Sequence, residues 1–125
     1  MLPNSPPWQS TVTNGVYQWL KFSFSRLVTI SGFQTKAPFG VPGSAFKNFV
    51  FDRSDDGFSW TPVITGQGID QACCEWEQYQ FPEVTARYFR LYLIDNYGHD
   101  TIAMDEIQFR FTKKGTFSVR LRWSN

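Results

Sequence analysis

In 125 residues the chain has one histidine and two cysteines, and each scarcity excludes something. The cysteines are neighbours, Cys73 and Cys74, so together they cannot staple distant segments, and two free thiols are expected. Adding His99 still leaves too few ligands for a structural zinc centre. A single imidazole, with no G-x-S-x-G turn, argues against a hydrolytic triad, and no enzymatic activity is expected. No apolar run approaches the ~18 residues of a membrane-spanning helix. The start, Met1-Leu2-Pro3-Asn4, lacks the basic and apolar stretches of a secretory signal. These absences lean towards an intracellular chain, although a piece of a longer secreted protein would show the same features. Gly40 and Gly43 lack the following lysine and helix of a phosphate loop, and no nucleic-acid motif is present. The formal charge of +1 names no partner. From Arg110 onward, however, there are five cations (Arg110, Lys113, Lys114, Arg120, Arg122) and no acid. That run reads as the wet face of a terminal hairpin; as a surface it would attract phosphate or anionic headgroups.

What the chain has in quantity is aromatic residues: thirteen Phe, five Tyr and five Trp, which suit a β protein. They recur at the period of two that a strand imposes. Leu20, Phe22 and Phe24 alternate with Lys21 and Ser23. Phe89, Leu91 and Leu93 alternate with Tyr88, Arg90 and Tyr92. Strands are predicted over residues 18–24, 27–35, 45–53, 60–64, 75–81, 87–94, 102–111 and 116–123. Residues 1–17 read as irregular. Asp55-Asp56-Gly57 reads as a turn, Pro62 marks an edge strand, and Pro82-Glu83 as a second turn. About eight antiparallel strands, with no helical period and no linker, predict one all-β sandwich domain over residues 1–125. Arg87 and Arg90 are expected to brace neighbouring strands.

Between the runs 87–94 and 102–111 lies a polar loop. It gathers Asp95, Asn96, Tyr97, His99 and Asp100 within seven residues. Loops on rigid sheets are common places for binding groups.

Several motifs occur in a telling order: Trp8-x-Ser10; Gln18-Trp19-Leu20; Ile30-Ser31-Gly32-Phe33; Phe49-x-Phe51-x-x-Ser54-x-Asp56-Gly57-x-x-Trp60; Ala86-Arg87-Tyr88-Phe89-Arg90-Leu91; and Glu106-Ile107. Together they resemble the coagulation-factor type C, or discoidin, domain of the galactose-binding-like superfamily, over residues 5–111. The resemblance implies a jelly-roll sandwich that binds sugars, anionic phospholipid or protein through loops at one end. It places the loops 37–44 and 95–101 at that end, with the segment around Trp8, and the turn 55–57 at the other. The family's opening strands have no counterpart before Asn4, so the domain is expected to be shortened at its N-terminus. Its end-to-end disulfide has none either.

The implied function is a non-catalytic module for carbohydrate, galactose-like in type, or for adhesion to a glycoprotein. Tyr97 would offer a ring face, Asn96, His99 and Asp100 would take hydroxyls, and Phe39 would form a second apolar wall. The alternative is a protein or peptide partner gripped by the same loops. A third reading, docking on an anionic membrane, needs the aromatic loops and the basic run at one end. Glu106 matches the family's strand glutamate near a structural calcium, which an Asp-Gly loop of the family's opening strands often helps bind. No other cofactor is expected.

Overall fold

The computed structural model describes residues 8–11, 18–36, 46–69, 75–98, 101–104 and 106–112. The strands are β1 (Trp8–Thr11), β2 (Gln18–Lys36), β3 (Asn48–Ser54), β4 (Thr61–Gln67), β5 (Trp76–Leu93), β6 (Thr101–Met104) and β7 (Glu106–Phe111). Every pairing is antiparallel. One sheet runs β4-β3-β5-β2-β7, and a second consists of β1 and β6. The expected all-β architecture is therefore present, with no helix among the described residues. The predicted strand 116–123 lies outside the described residues, as do Cys73 and Cys74.

Two long strands, β2 and β5, make the sandwich. Ser23 pairs with Tyr88 and Val28 with Ala86, so residues 24–27 of β2 stand opposite Arg87 alone. This surplus bends the sheet, as bulges do. The freed Phe24 carbonyl accepts a hydrogen bond from Arg87 Nε at 3.3 Å. Beyond the bend the sheet folds back over itself. Phe33 there meets Phe51 of β3 at 4.8 Å between ring centroids, although no ladder joins the two strands. Phe22 meets Phe109 edge-on at 4.9 Å, and Phe51 stacks on Phe89 at 5.6 Å. The alternating positions Leu20, Phe22, Phe49, Phe51, Phe89, Leu91 and Leu93 thus form one buried aromatic core. Burial of each such side chain contributes roughly 1.5–3 kcal/mol.

Four sequence expectations need correction. Residues 18–24 and 27–35 are the two arms of one bent strand, and 75–81 and 87–94 are likewise the arms of β5. Pro82 does not turn the chain. Gln80 pairs with Gly32 and Val84 with Ile30, so residues 81–83 bulge opposite Ser31, where a missing N–H costs the ladder nothing. The run 102–111 is two strands in different sheets: β6 pairs with β1, and β7 with β2. Residues 8–11 are correspondingly a strand, too short for alternation to reveal. Pro62 does sit on the edge strand β4, at a register shift.

Candidate functional site

Strand β3 separates two ends. At the Ser54 end, the Ser54 hydroxyl accepts from Gly57 N–H at 2.9 Å, and Gly57 takes φ 83°. Asp56 Oδ1 accepts from the N–H groups of Phe58 and Ser59, both at 2.8 Å. These donors, Ser59 foremost, with the Ser54 hydroxyl, lower the Asp56 carboxyl from 3.8 to about 2. Behind the turn, Arg90 donates to Asp52 Oδ2 at 2.9 and 3.0 Å, between the rings of Trp60 (4.6 Å) and Tyr92 (4.7 Å). The arginines brace strands, as their positions in the alternation predict.

The Asn48 end carries the candidate site. Three segments meet there, and the backbone of residues 46–48 is tied to each of the other two. Lys47 N–H donates to the Asp95 carbonyl, Gly68 N–H to the Lys47 carbonyl, and Ile94 N–H to the Asn48 carbonyl, at 2.8–2.9 Å. Phe46 bridges Asn96. The Asp95 carboxylate is held by Asn48, through its backbone N–H at 2.7 Å and its side-chain amide at 2.9 and 3.1 Å. Gln67 in turn donates to Asn48 Oδ1 at 3.0 Å. A Cβ on Gly68 would collide with the Phe46 carbonyl, so only glycine permits this approach.

On this frame stands Tyr97. Its hydroxyl donates to the Gly68 carbonyl, and Lys47 Nζ lies 5.6 Å from its ring centre. Asn96 Oδ1 accepts from Gly98 N–H at 3.0 Å, with Gly98 at φ 103°. The ring is therefore fixed at its far end and half-buried. Beneath it, Tyr79 packs on Phe33 and Phe49, both at 5.0 Å, and burial raises its phenol above the ordinary range.

Of the predicted site residues, Asn96 and Tyr97 are adjacent in this cluster. Phe39, His99 and Asp100 lie outside the described residues, as does the basic run from Lys113. Sequence reasoning missed Asn48, Gln67, Gly68 and Lys47. Their role depends on strands remote in sequence, and no local pattern marks them. Glu106 starts β7, in register with Lys36, and its carboxylate accepts from Gln108 at 3.5 Å. Calcium takes about six to eight oxygen ligands. Among the described residues no group of three acids, histidines or cysteines gathers.

The F5/8 type C domain model matches residues 3–107. No curated protein matches in sequence. Among solved structures, CpGH89CBM32-5 from Clostridium perfringens, in complex with GalNAc-β-1,3-galactose, aligns with a TM-score of 0.70 at 14% identity, over 81% of this chain and 72% of that one. The family 32 CBM of C. perfringens NanJ, in complex with galactose, gives 0.69 at 12% identity, over 82% and 74%. A pectin binding carbohydrate binding module gives 0.64 at 22% identity, over 82% and 70%.

Proposed function

The chain belongs to the F5/8 type C domain family, and from that premise we propose that it is a non-catalytic module that recognises carbohydrate at the Asn48 end. The observation that carries this reading is the pinned ring of Tyr97 beside Asn96, on a frame built from three segments. A sugar presents C–H groups on one face and hydroxyls around its rim. A fixed aromatic face takes the first at little entropic cost, and planar amides take the second. The Lys47 ammonium near Tyr97 adds a donor for ring or hydroxyl oxygens. The sugar-bound neighbours support the choice of ligand class, and galactose-like sugars are the first candidates.

Stacking and each net hydrogen bond are worth on the order of 1 kcal/mol. A monosaccharide held by a few of these binds at about millimolar strength. Screening wild type and Tyr97→Ala on a glycan array, with calorimetry on the hits, tests the proposal. Binding by wild type and its loss in a still-folded variant support it. Equal binding by both would move the site elsewhere. Silence across all glycans, with capture of a peptide instead, would give the same end to a protein partner.

A further inference from the structure

Beyond the bend, the outward face of β5-β2-β7 has a groove that the Asn48-end site does not use. The ladder puts Gln78, Gln34 and Gln108 in one row across three strands, and Gln80, Gly32 and Arg110 in the next. Between these rows lies a cavity of about 170 Å³. Gly32 creates it: the central strand carries no side chain there, while its neighbours stand as walls. A Cβ on Gly32 would fall 2.7 Å from the Tyr79 carbonyl, so the gap cannot be filled without moving backbone.

The glutamine row is oriented. Gln34 Nε2 donates to Gln108 Oε1 at 2.7 Å, and Gln78 Nε2 donates to Gln34 Oε1 at 3.5 Å. Gln108 Nε2 donates to Glu106 at 3.5 Å. Each primary amide has two N–H donors and two acceptor sites. A chain of three amides therefore fixes their planes and still leaves donors and acceptors facing out. Adjacent strands lie about 4.8 Å apart, close to the length of one pyranose residue in an extended glycan. The row thus offers one amide per sugar. Arg110, exposed, borders the groove, and its planar fork matches a carboxylate in two-point contact. Four residues back along β7, beyond Gln108, Glu106 would repel a second carboxylate placed there. The Trp76 ring has Lys36 Nζ 5.7 Å from its centre, so the receptive part is the groove between the rows.

We propose that this groove is a second, separate site that binds a short acidic oligosaccharide lying across the strands, with a uronate carboxylate on Arg110 and sugar hydroxyls on Gln34, Gln78 and Gln108. It does not depend on the reading of the Asn48 end.

The test is an NMR titration of the ¹⁵N-labelled chain with tetragalacturonic acid and with its methyl ester. With the acid, the side-chain amide signals of Gln34, Gln78 and Gln108 and the backbone signal of Gly32 should move, and the signal of Tyr97 should not. Arg110→Gln should weaken the acid at least tenfold and bring it level with the ester. Gln34→Ala, an outward-facing change, should weaken both. Glutamine signals that stay still, or shifts confined to residues 95–98, would overturn the proposal. So would an Arg110→Gln variant that still prefers the acid. A failure of galactose to move residues 95–98 would count against the Asn48-end site and leave this groove standing.

Discussion

Two residues show how much a single side chain contributes here. Arg90 is held between two rings and closes on Asp52, whose side chain is only 4% exposed. Truncating one partner leaves the other charge buried and unpaired, which typically costs about 3–5 kcal/mol. Arg90→Ala should therefore lower the urea midpoint sharply, and adding Asp52→Asn should recover part of the loss. A double variant no better than the single would show that stacking on Trp60 and Tyr92 matters more than charge. Asp56 acts through pH. Its folded pKa, about 2, lies below the ordinary 3.8, so the unfolded chain binds the proton first. The stability it contributes is complete above about pH 4 and lost as pH falls through 2. Melting curves of wild type and Asp56→Asn should differ at pH 5 and converge towards pH 2. A gap that stays constant with pH would contradict the assignment to charge. Both residues were legible in sequence, Arg90 as a strand brace and Asp56 inside its turn motif. The lowered pKa was not, because it comes from N–H groups whose direction only the folded turn sets.

At the level of elements, the strand pattern was legible and its breaks were not. Alternation in residues 18–24 and 87–94 identified which side chains enter the core, and Leu20, Phe22, Phe89, Leu91 and Leu93 are all buried. Period-two alternation does not register whether a chain bends while pairing continues. The corner at residues 24–27 and the bulge at Pro82 therefore read as gaps or turns between strands. Gly32 marks where such a break is tightest, since any Cβ meets the Tyr79 carbonyl. Forcing a side chain into a closely packed site costs typically 1–3 kcal/mol. Gly32→Ala should lose about that much by chemical denaturation, whereas Gly98→Ala pays only for its positive φ, with open space around it. Equal losses at both positions would indicate that backbone conformation, and not the close approach, governs Gly32.

For the whole molecule, the fold was accessible because ordered motifs constrain topology more than any one strand does. The candidate site was accessible in part. The loop holding Asn96 and Tyr97 stood out by its composition. The frame beneath it joins residues 46–48, 67–68 and 95–98, contacts that no local pattern encodes. The proposed role of this end, with Tyr97 as its platform, is to receive a sugar. The most direct measurement is a titration of the ¹⁵N-labelled chain with galactose and N-acetylgalactosamine, followed residue by residue. The prediction is saturable shifts at Lys47, Asn96, Tyr97 and Gly98, with an affinity of about millimolar, abolished by Tyr97→Ala in a chain that stays folded. Signals at these residues that remain fixed at saturating sugar, or that shift equally in Tyr97→Ala, would contradict it.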